Sequence, residues 1–189
     1  MKHKVTVCDK AEAQLSRFST KEGKVKLTAH WEWEHIRNGK VVDAWGYDNY
    51  CSDEGLNALL DIMFHNSTQI VTWYVEIFES DTTPDGDTTY AVPVYTPCTA
   101  YVEGTRPEYV EAAASGKSIT NSANKAVFTI NDTKSIYGAS LVGGGGAATT
   151  KGDVAGGGTL FSASQFEAMK SVVATDVLNV TITITLADS

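Results

Sequence analysis

Cysteine and histidine are scarce in this 189-residue chain, three of one and four of the other, and basic side chains are outnumbered by acidic ones, 15 to 23. Cys8, Cys51 and Cys98 form an odd set at wide spacing. With no CxxC among them, neither a zinc site nor a redox motif is supported. Buried or half-buried thiols in a reducing cytosol are expected, and Cys8 is the candidate for any inter-subunit disulfide. The net charge of −8 and the lack of a basic stripe argue against nucleic acid as a partner, because phosphate neutralisation by Lys and Arg supplies most of such affinity. Apolar runs stop after a few residues, far short of the roughly 20 needed to cross a bilayer. The opening MKHKVTVCDKAEAQ has none of the apolar stretch of a signal peptide, so synthesis in a cytosol and no membrane partner are expected.

Catalytic patterns are missing too. There is no GxSxG elbow, and none of His3, His30, His35 or His65 sits in the setting of an oriented triad. The run GGGGAATTKGDVAGGG contains no GxxxxGK[ST] and leads into no helix, which leaves a phosphate cradle unsupported. This loop, 143–158, is expected to be a mobile hairpin tip or one ordered only by a neighbouring subunit. Asp81, Asp85 and Asp87 around Gly86 evoke a calcium loop, but the terminal glutamate and the flanking helices are absent. No cofactor, metal or enzymatic activity is expected.

What the sequence does contain is period-two patterning. Its 42% hydrophobic content can supply the core of one domain. Residues 24–36 alternate cleanly, with Val25, Leu27, Ala29, Trp31, Trp33 and His35 on one face and Lys24, Lys26, Thr28, His30, Glu32 and Glu34 on the other. Asn38-Gly39 then predicts a type I′ hairpin turn, with KVVDAWGY as the returning strand. The His and Glu residues of HWEWEH suggest a metal or acid–base cluster. On a strand, however, His30 and Glu34 stand about 13 Å apart, too far to share one ion. They are expected to form the wet face of a hairpin. Trp31, Trp33 and Trp73 are expected in the core, and Trp45 and Tyr47 in exposed contact.

The period changes at SDEGLNALLDIMFHN. Leu56, Leu59, Leu60, Met63 and Phe64 make one helical stripe, Ser52 is the cap, and Asp53 and Glu54 suit the positive end of the helix dipole. A helix is therefore expected over Asp53–His65, with Asp61 and His65 as a solvent-facing pair. QIVTWYVEIFES (69–80) reads as a strand covered on both faces, and 81–97 as a long exposed loop. AVFTIN and KSIYGASLVG read as a hairpin joined at Asp132-Thr133. SASQFEAMKSV reads as a short helix or helical turn. DVLNVTITITL (176–186) reads as a central or near-central strand with Leu178, Val180, Ile182, Ile184 and Leu186 inward.

The fold class expected from these patterns is mainly β: an antiparallel β-sandwich, jelly-roll or Ig-like, with one short α-helix packed on it. Residues 1–22 are expected to form an extended N-terminal arm and 23–189 the sandwich domain. The arm concentrates Lys2, Lys4, Lys10, Arg17 and Lys21, and its AEAQLSRF segment has enough periodicity for one or two helical turns.

Several segments resemble, in order, a group of small virion structural proteins of tailed bacteriophages: SDEGLNALLDIMF, TWYVEIFESDTTP, the stretch from TRPEYVEAAA to YGASLV, and KSVVATDVLNVTITITL. Asn49, Gly55, Leu56, Asn57, Leu60 and Asp61 carry the first motif, Trp73 and Tyr74 the second, and Arg106, Pro107 and Tyr109 the third. The match spans roughly residues 49–187. The resemblance implies a part of the phage particle, without catalysis. Such a part is either a capsid decoration (cement) protein on the outer surface of the major capsid protein lattice, or a neck, collar or tail component. Partners would be the major capsid protein or other virion subunits and further copies of the chain, as a homo-oligomer, trimer or dimer. Residues expected at interfaces are Lys2, Lys4, Val5, Cys8, Leu15 and Phe18 in the arm, and Trp45, Tyr47, Tyr95, Arg106 and Tyr109 in the domain. A different class also remains open, a β-sandwich binding host-surface carbohydrate or receptor through exposed aromatics such as Trp45 or Tyr95.

Overall fold

The alternating segment after residue 24 folds as β1 (Val25–Arg37), and Asn38 and Gly39 turn the chain with φ of 51° and 73°, the doubly positive pair of a type I′ turn, into β2 (Lys40–Cys51). The computed structural model describes residues 25–154 and 156–188. The expected arm therefore lies outside the described residues, and with it Lys2, Lys4, Val5, Cys8, Leu15 and Phe18. One helix follows, α1 (Asp53–Phe64), then β3 (Trp73–Phe78), β4 (Ser118–Thr120), β5 (Ala126–Thr129), β6 (Lys134–Gly143), β7 (Thr159–Val172) and β8 (Val177–Asp188).

All strand pairs are antiparallel and fall into two packed sheets. In sheet A, β1 lies between β2 and β8, and β8 pairs on its far side with β4 and β5. In sheet B, β6 lies between β3 and β7. The end of β2, Tyr50 and Cys51, pairs with Ala163 and Ser162 of β7 and joins the two sheets at one corner. The expected β-sandwich with one short helix is the architecture found, and β8 is paired along both edges.

Two apolar clusters flank sheet B. Trp31, Trp33, Val75, Ile77, Leu141 and Val180 belong to the cluster between the sheets. Phe78, Tyr90, Tyr95, Val142, Ala148 and Leu160 form the second, on the outer face of sheet B beneath loop 81–97 and the glycine-rich loop. Loop 81–97 is thus a cover rather than an exposed excursion; Tyr95 stacks on Phe78 at 4.5 Å between ring centroids. β3 is shorter than expected, but it is buried on both faces because a loop layer lies over the side away from sheet A.

Three further expectations are corrected in the strands. SASQFEAMKSV is not helical but part of β7. Between the Gly138–Gln165 and Ile136–Lys170 pairs β7 carries extra residues, and this bulge turns Phe166 into the core. Gln, Glu, Ala, Met and Lys favour a helix, but strand pairing outweighs their propensity. AVFTIN and KSIYGASLVG are not a hairpin: β5 pairs with β8, β6 with β3 and β7, and residues 131–133 cross from one sheet to the other. A turn signal marks a reversal without saying where the next strand will pair.

The third correction concerns Trp45 and Tyr47, expected to be exposed. A regular two-residue hairpin would set Trp45 opposite Glu32, on the wet face. The register instead shifts between His35 and Ile36, leaving Val42 as the extra residue. Trp45 then faces Trp33, and Tyr47 faces Trp31. One bulged residue moves every later side chain of β2 to the other face of the sheet. Both rings are half-buried against the core.

A buried carboxylate fixes the tip of sheet A. Asp176, fully enclosed, accepts bonds from Arg37 Nε at 2.8 Å and Nη2 at 2.7 Å, from the Val173 amide at 2.8 Å, and pairs with His35 Nε2 at 2.8 Å. Arg37 foremost, with the Val173 amide and His35, holds its carboxyl far below the usual carboxylate range. A carboxylate whose folded-state pKa is depressed stabilises the fold above its unfolded value of roughly 4, and that stability is lost as pH falls below it. Urea midpoints are therefore expected to fall steadily on acidification below about pH 4, and Asp176→Asn to lower the neutral-pH midpoint while flattening that slope. An unchanged acid slope in the variant would show that other carboxylates dominate it.

Candidate functional site: an uncovered helix and its groove

Ser52 caps α1 as the sequence predicts: its Oγ accepts from the Gly55 amide at 3.1 Å and donates to the Leu160 carbonyl at 2.5 Å. Gly55 lets the helix lie on β7, since a Cβ there would stand 2.5 Å from the Phe161 carbonyl oxygen. The Glu54 carboxylate accepts the amides of Tyr90 and Leu160 at 2.9 and 2.7 Å, which ties the first turn to the loop layer.

Beyond that turn the helix lifts away from the body. Gly55 is its one buried residue, and the expected apolar stripe faces outward: Leu56 is 37% exposed, Leu59 37%, Leu60 54%, Met63 66% and Phe64 81%. Asp61 and His65 form the expected surface pair at 3.4 Å. A 12-residue helix gains little stability from propensity alone and normally depends on packing its apolar face. Here the sequence specified an amphipathic helix correctly, and the described residues leave its apolar face uncovered.

Beneath the helix lies an apolar groove of about 310 Å³, walled by Ala58, Leu59 and Ile62 on one side and floored by Leu27, Ile184 and Leu186 at the open end of sheet A. Along β1 burial falls from complete at Ala29 to 71% exposure at Val25, and on β8 Leu186, which pairs with Leu27, is 42% exposed. Val71, in the segment after the helix, adds another exposed apolar side chain at 78%. Contiguous exposed apolar surface of this kind marks association sites on soluble proteins.

The outer face of sheet A carries a polar trough of about 490 Å³, with Gly46 and Ala44 beside His30, Glu32 and Glu34. Two of its acid–base residues have partners of their own: His30 pairs with Asp48 at 2.8 Å, and Glu34 with Lys125 at 2.9 Å and Asn179 at 3.2 Å. Lys125 and Asn179 hold the Glu34 carboxyl below its ordinary value. His35 is on the opposite face, bonded to Asp176. The hairpin is therefore a wet face, and no group of three or more His, Cys, Asp or Glu side chains gathers as a metal site among the described residues.

The domain residues expected at interfaces are not brought together. Tyr95 is 5% exposed and Arg106 1%, so neither presents its side chain to a partner, whereas Tyr109, 3% exposed, lines the apolar groove beneath α1. Tyr109 reaches from beside β3 toward the Ile119 carbonyl at 3.2 Å. Arg106 lies between sheet B and the glycine-rich loop. It donates to Glu76 of β3, to the Tyr90 hydroxyl, and to the carbonyls of Ala147, Ala148 and Asp153. Loop 143–158 was expected to be mobile or held by a neighbour, but one arginine of its own chain holds it. Gly145 serves this arrangement with φ of 65° and with the Gly157 carbonyl too close to admit any Cβ. Burial pushes the thiols of Cys51 and Cys98 up to about 11, which keeps both protonated at neutral pH.

No family model matches this chain. A search of curated proteins finds no match either. The residues that matter most at this site, Met63, Phe64 and Val71, were missed as interface candidates because a helical stripe ordinarily signals core.

Proposed function

We propose that this chain is a structural subunit of a tailed-bacteriophage virion. Its first role is that of a capsid decoration (cement) protein bound to the outer surface of the major capsid lattice, and its alternative role is that of a neck, collar or tail component. The observation that carries the reading is the uncovered apolar face of α1, with Leu60, Met63 and Phe64 between 54% and 81% exposed. Exposing such a face costs solubility unless a neighbour covers it, and interfaces with depleted charge and large apolar anchors at their centre are how subunits associate. The resemblance over residues 49–187 supplies the setting, a particle in which many copies repeat one modest contact. Repetition on a lattice turns weak contacts into firm attachment. The acidic balance of 23 to 15 suits an outer position better than contact with the packaged genome.

The test is electron microscopy of particles carrying the protein, beside a binding assay with Met63→Glu and Phe64→Glu together. Copies spread over the whole head lattice assign decoration, and a single ring at one vertex assigns neck or tail. The double variant is expected to fold as stably as wild type, since both side chains are solvated, and to bind particles about 100-fold more weakly or worse, as for loss of a buried interface anchor. Equal occupancy of variant and wild type would remove the helix from the interface.

A further inference from the structure

We propose that α1 pairs antiparallel with α1 of a second copy of the same chain, about a two-fold axis near Leu60. The pairing rests on the reading of α1 as an assembly face and names the neighbour that covers it. It is tested on purified protein without particles, so its failure leaves the lattice reading standing.

Helix packing supplies the first argument. Gly55, Ala58 and Ile62, at spacings of three and four, turn toward the body and are buried or half-buried. Leu56, Leu60 and Met63, at spacings of four and three, lie on the opposite side, with Phe64 next to them. An apolar row of that spacing is the seam along which two helices interlock. About Leu60 the row is complementary to its own reverse. Turned end for end, Met63 and Phe64 of one copy lie over Leu56 and Asn57 of the other, and Leu60 meets Leu60 at the centre. Bulk on one half thus faces smaller side chains on the other.

The second argument is area. With Val71, 78% exposed, the stripe of Leu56, Leu59, Leu60, Met63 and Phe64 leaves a contiguous apolar patch in water. At roughly 150–200 Å² for each large side chain, those exposures amount to about 600 Å² per copy. A stable pair buries about 800 Å² per partner, polar rim included, so this patch is of the size of an interface core.

Charge sets the direction. Asp53, Glu54 and Asp61 are the charged residues of α1, which holds no Lys or Arg. Parallel pairing would set each acid beside its own copy. Antiparallel pairing places Asp53 of one copy beside His65 and the open carbonyl end of the other, matching the two dipoles head to tail. The same acidity disfavours a membrane as occupant, because interfacial helices use Lys and Arg on the polar flank to hold anionic lipid. A pair also offers a lattice two attachments where a lone chain offers one, which adds to the weak particle binding expected of Met63→Glu with Phe64→Glu.

Sedimentation equilibrium and cysteine cross-linking on the full chain decide it, the latter in a Cys8→Ser background. Wild type is expected to be a dimer. Leu60→Glu should associate about 100-fold more weakly, the scale of an interface anchor lost from both copies. Its circular dichroism should match wild type, because Leu60 is 54% exposed. Under mild oxidation Leu60→Cys is expected to link to itself. Leu56→Cys should link to Phe64→Cys in an equimolar mixture, and neither should link to itself, since only reversed helices bring those two positions within disulfide reach. A monomeric wild type, a Leu60→Glu chain that keeps wild-type association, or Leu56→Cys and Phe64→Cys each linking to itself would overturn the pairing.

Discussion

Replacing Arg106 with methionine is expected to lower stability by about 3–5 kcal/mol, the range for breaking a buried ion pair from one side. The carboxylate of Glu76, 3% exposed, would be left with the hydroxyls of Ser140, at 2.9 Å, and Tyr95 and with no cationic partner. Removing Glu76 as well separates two explanations. If the pair alone matters, Arg106→Met with Glu76→Met should recover most of the loss, because apolar replacement of a whole buried pair is often neutral. Arg106 also donates to the carbonyls of Ala147, Ala148 and Asp153, so the double variant should remain clearly destabilised, and the glycine-rich loop should lose its protection from amide exchange. Full recovery by the double variant, with the loop still protected, would show that Arg106 does not hold the loop.

That loop marks the boundary of what the sequence could disclose. Local signals were legible. Asn38-Gly39 gave the turn and Ser52 the helix cap, while the alternation of residues 25–36 and 177–186 gave two long strands whose inner faces carry the core. Each depends on neighbours within a few residues, and the physics that selects them is short-ranged. The bond from Arg106 to residues some forty positions away has no such signature. In the sequence an arginine in an RP-x-Y motif looks like a surface contact, because arginine is almost never fully buried without a partner and its partners are distant. The bulge at Val42 was legible in part: Trp45, Tyr47 and Cys51 share one parity while Ala44, Gly46 and Asp48 share the other, and the larger apolar set belongs inside. A regular two-residue hairpin gives the opposite facing, and burial of two large rings decides between the two registers. The candidate site was half legible. The helix stripe was evident, but whether a stripe meets its own core or a neighbour's is decided by the reach of the sheets, which no local pattern encodes.

Phenylalanine occurs at both ends of that ambiguity, and the contrast gives the second large effect. Phe166 meets Trp33, Trp45 and Tyr47 edge-on at 5.3, 5.5 and 5.3 Å, at angles of 62° to 70°. It is the wedge that the β7 bulge drives against the aromatic inner face of the hairpin. Its replacement by alanine should cost about 3–5 kcal/mol and shift tryptophan fluorescence, since the cavity opens directly beside two indole rings. Phe166→Leu should recover much of the stability by filling volume, while losing the edge-on ring contacts. Phe64→Ala on the exposed helix should change the stability of the isolated chain by no more than about 0.5 kcal/mol, yet weaken its attachment within an assembly. A Phe166→Ala variant as stable as wild type would mean that the bulge relaxes and β7 runs straight, taking the wedge out of the core. A Phe64→Ala variant that destabilises the lone chain by several kilocalories would mean that the helix face is already covered within it. The interior of this protein is closed by one phenylalanine, and its exterior is left open at the other.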